Sequence, residues 1–172
     1  MQMSTKYGKV GRHKFHGDPK RFEELAYFVS SNYGGKVKKV ADIGGGQGML
    51  ARILAKKYNF EVDVIDPRGW TLVGVTSRKE EYKAEMADYY DLIVGLHPDD
   101  ALKEVILSAL VRPVILIPCC NFLSEEKILG RDTLIEEVEK FYKKHGILFE
   151  KVVFDFEGPK NIGLVSRPSK LF

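Results

Sequence analysis

Three short stretches of this chain hold residues whose types and spacing could do chemistry. The first is Asp42-Ile43-Gly44-Gly45-Gly46-Gln47-Gly48, a carboxylate followed by a glycine cluster. Glycines spaced two apart allow a tight turn and let a ligand reach the backbone without meeting a Cβ. The second is His97-Pro98-Asp99-Asp100, an imidazole beside carboxylates, the usual acid–base groups. The third is Pro118-Cys119-Cys120-Asn121-Phe122, where a thiol of lowered pKa would be a nucleophile.

Each stretch follows an apolar run of strand length, so the elements that position them can be read. Val40 to Gly48 is a buried strand end, a glycine loop and a helix start near Gln47, the helix running to about Tyr58. Phe60 to Asp66 alternates as a second strand and ends in an acid. Asp91 to Leu96 and Pro113 to Pro118 are further strands, the last apolar throughout and so expected to be covered on both faces. Asp18-Pro19 opens a helix carrying Phe22, Leu25, Ala26 and Val29, stopped by Gly34-Gly35. Asp99 or Asp100 is positioned to cap a helix bearing Leu102, Val105 and Ile106. Leu134 to His145 forms the last helical stripe, stopped by Gly146. The third strand is expected at Thr71–Thr76 or at Glu81–Met86, with no full-length helix before Tyr89. Residues 147–156 and 161–167, joined by Glu157-Gly158-Pro159-Lys160, form an antiparallel hairpin.

The glycine cluster fits two ligand classes. Gly46-Gln47-Gly48-Met49-Leu50-Ala51 satisfies the G-x-G-x-x-A dinucleotide fingerprint, with Asp66 twenty residues after Gly46 for a ribose. The same residues, read from Asp42 as D-x-G-x-G-x-G, resemble motif I of the class I S-adenosylmethionine (AdoMet) methyltransferases. A carboxylate at Asp42 would repel a pyrophosphate but suits a ligand with an ammonium and a sulfonium. Length and topology decide. From about residue 36 to its end the chain is similar to class I methyltransferases: α/β, doubly wound, a mostly parallel seven-stranded sheet closed by a C-terminal antiparallel hairpin, in three α/β/α layers. A dehydrogenase would need a substrate domain for which no residues remain.

That resemblance implies a set of roles. Asp42, Gly44, Gly45, Gly46 and Gly48 would cradle the methionine end of S-adenosyl-L-methionine and Asp66 would bind its ribose. Asp88 is the candidate for adenine, and Gly95 joins the cofactor set. The reaction would lie at the carboxyl ends of the fourth and fifth strands. Neither carries the N/D-P-P-Y/F signature of amino methyltransferases. His-Pro-Asp with Pro-Cys-Cys is instead similar to tRNA 2′-O-methyltransferases acting on uridine. His97 or Asp99 would be the base for the hydroxyl, and Phe122 a surface on which a base stacks. Cys119 or Cys120 would suit the covalent route of RNA 5-methylcytosine enzymes, but those carry a second Pro-Cys where this chain has His97-Pro98. The adjacent cysteines lack ligand spacing, so no metal is expected.

Composition bounds the rest. The 172 residues, 44% hydrophobic and 30% charged, fit one soluble domain, with no membrane span and no signal-peptide core; the cytoplasm is expected. Net charge is +3, unevenly spread. Residues 1–21 hold Lys6, Lys9, Arg12, Lys14, Lys20 and Arg21 against Asp18 alone, with His13, His16, Tyr7 and Phe15 interleaved. The organisation expected is a basic arm over 1–17 and a single domain over 18–172. Such an arm suits a polyanion, and RNA, tRNA first, is the expected partner. The rival readings keep the fold but give it a small-molecule or protein acceptor, or cofactor binding without catalysis. A homodimer or a partner subunit would supply surface that a chain this small lacks.

Overall fold

The computed structural model describes residues 17–119 and 129–169. One sheet organises them. Its strands are β1 (Lys39–Ile43), β2 (Glu61–Ile65), β3 (Ser77–Arg78), β4 (Leu92–Leu96), β5 (Val114–Ile117), β6 (Leu148–Val153) and β7 (Ile162–Arg167), in the order β3-β2-β1-β4-β5-β7-β6. β1 to β5 pair in parallel; β7 lies antiparallel between β5 and β6. This is the Rossmann-like methyltransferase fold expected from the sequence.

Apolar alternation explains the layers. In β5, Val114 and Leu116 face one core while Ile115 and Ile117 face the other. The first core is covered by α3 (Leu102–Ser108) and α4 (Arg131–Lys144), which bury Leu102, Val105, Leu134, Ile135 and Val138. The second is covered by α1 (Lys20–Tyr33) and α2 (Met49–Tyr58), which bury Leu25, Val29, Leu50 and Leu54. Each such side chain contributes about 1.5–3 kcal/mol. No helix among the described residues is long and apolar enough to cross a membrane.

The third strand differs from both expected positions. Gly69 and Gly74 adopt left-handed backbone (φ 64° and 81°), turning the chain twice, so only Ser77 and Arg78 reach β2, pairing with Val64 and Ile65. A 3-10 turn over Ala84–Tyr89 then leads into β4. Asp18 starts α1 as expected: its Oδ1 accepts the Lys20 amide at 2.9 Å. Its Oδ2 accepts the Glu157 amide at 2.9 Å, fastening α1 to the β6–β7 joint.

Two topological facts locate the site. β1 has β2 on one side and β4 on the other, so the chain reverses direction across the sheet there and a crevice opens above the strand ends. β6 is antiparallel to β7, which is antiparallel to β5, so β6 runs with the parallel set. Its carboxyl end, and the joint that follows, therefore lie on the same edge as the glycine loop.

Candidate functional site

The glycine loop is shaped by contacts that leave no space for a side chain at Gly44 or Gly45. The Gly44 amide donates to the Ile65 carbonyl at 2.9 Å, and a Cβ there would lie 3.1 Å from the Pro98 backbone. A Cβ on Gly45 would lie 2.5 Å from Asp42 Oδ2. Gly46 (φ 58°) donates its amide to Asp66 Oδ2 at 2.9 Å. Gly48 has another role. It precedes α2 in left-handed backbone, and a Cβ would meet Val75 at 2.8 Å and Val64 at 3.0 Å. Its bareness seats the helix on the sheet, and it does not line the crevice.

At the floor of the loop Asp42 is buried (1% exposed), and its Oδ2 has no hydrogen-bond partner. Burial pushes its carboxyl up to about 7, against the pull of the Ala51 amide and with a further push from Asp66. The neighbouring Gln47 Oε1 is buried and unpartnered as well. Two orphaned acceptors at either end of the glycine loop call for a ligand that donates, and the carboxylate for one that is cationic. An α-ammonium group fits both, so these residues fit the methionine end of AdoMet.

Above the loop lie two adjoining cavities of about 730 and 390 Å³. The larger is bounded by the glycine loop, Asp42, His97, Cys119, Trp70 and the β6–β7 joint. The smaller holds Asp66, Pro67, Tyr82 and Ala101. Gly44, Arg68 and Asp99 border both, so the two are halves of one crevice. Arg68 sits at the division: its Nε and Nη2 donate to Asp66 at 2.9 and 2.7 Å, and its amide donates at 2.9 Å. Burial alone would raise the Asp66 carboxyl, but Arg68 and the Gly46 amide hold it below the ordinary value. The carboxylate expected to bind ribose is thus paired to an arginine that sequence reasoning passed over, two residues away in Asp66-Pro67-Arg68.

The β4 end is backbone-strained. His97 (φ 53°) and Asp99 (φ 47°) adopt left-handed conformations, which cost non-glycine residues about 1–2 kcal/mol each and gather at functional sites. His97 Nε2 lies 3.0 Å from the Lys160 carbonyl. A carbonyl only accepts, so Nε2 carries the hydrogen and Nδ1 keeps its lone pair. Burial lowers the His97 pKa, and the Arg21 and Lys160 charges add to this, against the Lys160 hydrogen bond and Asp99. The shift favours the neutral ring.

Asp99 forms no cap on α3, which begins without a side-chain cap bond. Its Oδ1 instead accepts the Cys119 thiol at 3.5 Å. That contact uses the thiol as a donor, the reverse of the thiolate a nucleophile needs. Cys120 and Phe122 lie outside the described residues.

Besides Gly48, two further expected cofactor residues fall elsewhere. Asp88 is at the opposite, amino edge of the sheet, where its carbonyl accepts Arg112 at 3.0 Å and its carboxylate pairs with Arg112 at 3.3 Å. The cause is the 3-10 turn, which places residue 88 before β4 rather than after β3; Glu81, Tyr82 and Lys83 line the smaller cavity instead. Gly95 is buried in β4, where a Cβ would press on Val105 and Pro98 at 3.1 and 3.2 Å, so its role is packing. Arg21, Trp70 and the joint 156–160 border the larger cavity without having been expected there. The joint's place follows from the direction of β6, which the sequence order of two hairpin strands does not disclose.

No protein-family model matches the sequence, and no curated protein matches it. Solved structures do match the fold. A human methyltransferase 10 domain-containing protein superposes with a TM-score of 0.64 at 11% identity, over 91% of this chain and 84% of that one. The ribosomal protein L11 methylase of Lactobacillus delbrueckii subsp. bulgaricus gives 0.57 at 19% identity, over 88% and 83%. A sugar N-methyltransferase from Streptoalloteichus gives 0.56 at 11% identity, over 91% and 96%. The likeness is one of fold, and the named substrates of these proteins differ from one another.

Proposed function

We propose that this chain is an AdoMet-dependent methyltransferase that modifies RNA, with a ribose 2′-hydroxyl of tRNA as the favoured acceptor. The observation that carries the cofactor assignment is the pair of orphaned acceptors, Asp42 Oδ2 and Gln47 Oε1, at a glycine loop whose Gly44 and Gly45 have no room for side chains. Asp42, Gln47 and Gly44 to Gly46 would hold the methionine end, and Asp66 the ribose once Arg68 releases it. When bound, the cofactor supplies an electrophilic methyl group on a sulfonium.

The chain's own chemistry is positioning and proton removal. Neutral His97, its ring held by Nε2–H donation to Lys160, is set to take the acceptor's hydroxyl proton on Nδ1. The Cys119 thiol donates its hydrogen to Asp99, which argues against Cys119 as a covalent nucleophile.

Charge supports the RNA acceptor. Lys6, Lys9, Arg12 and Lys14 precede Gly17, and Gly17 borders the larger cavity, so the basic segment joins the domain at the mouth of the site. Calorimetric titration with AdoMet, S-adenosylhomocysteine and NAD tests the cofactor, on wild type and Asp66→Ala. Binding of the first two, weakened by the substitution and absent for NAD, is expected; no binding by any would sink the enzyme reading. Methyl transfer to tRNA transcripts tests the acceptor. Replacing the four basic residues by Ala should abolish transfer while sparing S-adenosylhomocysteine binding. Undiminished transfer to another acceptor would place the activity on a small molecule or a protein.

A further inference from the structure

Trp70 is the chain's single tryptophan and is 55% exposed, yet it borders the larger cavity. Its exposure is built in. The Gly69 amide donates to the Asp66 carbonyl at 3.3 Å, and the Leu72 amide to Gln47 at 2.8 Å. Thr71 Oγ1 bonds Ser77 Oγ at 3.0 Å, and Leu72 is anchored at 3% exposure. Left-handed Gly69 is required for the turn, since a side chain there would be strained and would meet Lys79 at 2.8 Å. The turn therefore buries Leu72 and presents the indole at the mouth of the crevice.

Trp70 shares the cavity of His97 and is absent from the lining of the cavity that holds Asp66. That places it on the acceptor side, away from the position expected for the cofactor's adenosine. Exposed Lys160 borders the same cavity, whose lining also carries Asp18, Asp99 and Glu157, while Arg21 is 8% exposed and donates to the Asp18 carbonyl. An exposed indole at the mouth of a crevice is the surface chemistry that takes a nucleobase on its face.

We propose that Trp70 is the platform on which a base of the acceptor RNA strand stacks, fixing the strand so that its ribose reaches His97. This rests on the RNA reading above and names a residue that selects the acceptor. Stacking on an aromatic residue is sequence-tolerant, so the residue would favour unpaired nucleotides of any base. Removing it should weaken binding of a short strand by about ten- to a hundredfold.

The single indole makes the test direct. Wild-type protein saturated with S-adenosylhomocysteine is titrated with a single-stranded hexauridylate and with an abasic oligonucleotide of equal length, reading tryptophan emission and the anisotropy of labelled strands. Hexauridylate should quench emission, and the abasic strand should bind more weakly without quenching. Trp70→Ala should lose about tenfold or more in hexauridylate affinity, Trp70→Phe should retain most of it, and both should bind S-adenosylhomocysteine as wild type does. Binding of hexauridylate with unchanged emission, or with equal affinity by Trp70→Ala, would overturn the platform. No oligonucleotide binding by wild type would overturn it together with the RNA acceptor, while S-adenosylhomocysteine binding would leave the cofactor assignment standing. A small-molecule or protein acceptor would then be the surviving reading.

Discussion

Replacing Asp42 by Asn should make the protein more stable at alkaline pH and worse at holding its cofactor. The Asp42 carboxyl is raised by burial to about 7 from its ordinary 3.8, and Oδ2 has no partner. Below pH 3.8 folded and unfolded chains both carry the proton and nothing is lost. Between 3.8 and about 7 the unfolded chain gives up its proton while the folded one keeps it, so stability falls as pH rises through that window. Above about 7 the full penalty stands, about 4 kcal/mol at roughly 1.4 kcal/mol per pH unit. Asn never ionises, so urea midpoints of wild type and Asp42→Asn should nearly coincide at the lower end of that window, already differ at pH 5 and separate fully at pH 8.5 in favour of the variant. The difference between the two proteins isolates Asp42 from every other titrating group.

The same carboxylate predicts the ligand's response. S-adenosylhomocysteine keeps the α-ammonium without the sulfonium charge, so it probes the Asp42 contact alone. Its affinity for wild type should weaken as pH falls below about 7, approaching tenfold per pH unit, because a protonated Asp42 cannot pair with the ammonium. Asp42→Asn should bind weakly at all pH values, with no such slope. Parallel urea curves for the two proteins, or equal calorimetric affinity, would refute the reasoning.

Three further outcomes are expected. Gly45→Ala brings a Cβ to 2.5 Å from Asp42 Oδ2 and should cost about 1–3 kcal/mol by thermal melting, with S-adenosylhomocysteine binding lost. Arg68→Ala removes the guanidinium that covers Asp66; it should lower the melting temperature slightly and tighten cofactor binding several-fold, and calorimetry showing weaker binding would mean that Arg68 helps hold the cofactor. His97→Ala should lower methyl transfer by about 10²- to 10⁴-fold at unchanged cofactor affinity. In wild type the acid limb of the rate profile should lie below 6.5, because burial lowers the His97 pKa and the rate rises with pH only until the ring is neutral.

What the sequence disclosed divides by how local the signal is. Strand, glycine loop and helix around Asp42, and the closing hairpin, were legible because hydrophobic period and turn residues act over a few positions. Ser77–Arg78 was not, because a two-residue edge strand has no period to detect, and what sets it is a pair of left-handed glycines. The error at Asp88 has the same source: a 3-10 turn in place of a helix moved that residue to the other edge of the sheet. Arg68 and Trp70 stood in plain view in Asp66-Pro67-Arg68-Gly69-Trp70. Nothing in residue type told that one would turn back onto Asp66 while the other faced the cleft; that is decided by Gly69 and by the anchoring of Leu72.

The conflicts between sequence and fold also gather in one place. Of the three buried side-chain polar atoms without partners among the described residues, two belong to Asp42 and Gln47. Of the three non-glycine residues in left-handed backbone among the described residues, two are His97 and Asp99, and the third, Asn59, merely terminates α2. All four conflicting residues line the larger cavity. A core selected for stability alone would have an apolar residue for Asp42 and glycines for His97 and Asp99. Strain and orphaned polar groups persist where the surrounding fold can carry them and a ligand resolves them. Here the carriers are β1, β4 and β5, buried on both faces, and a ligand that resolves the orphaned acceptors must donate hydrogen bonds to the floor. On the reading proposed above, a cationic cofactor meets that floor and a hydroxyl-bearing acceptor meets His97, the division of labour of a group-transfer enzyme.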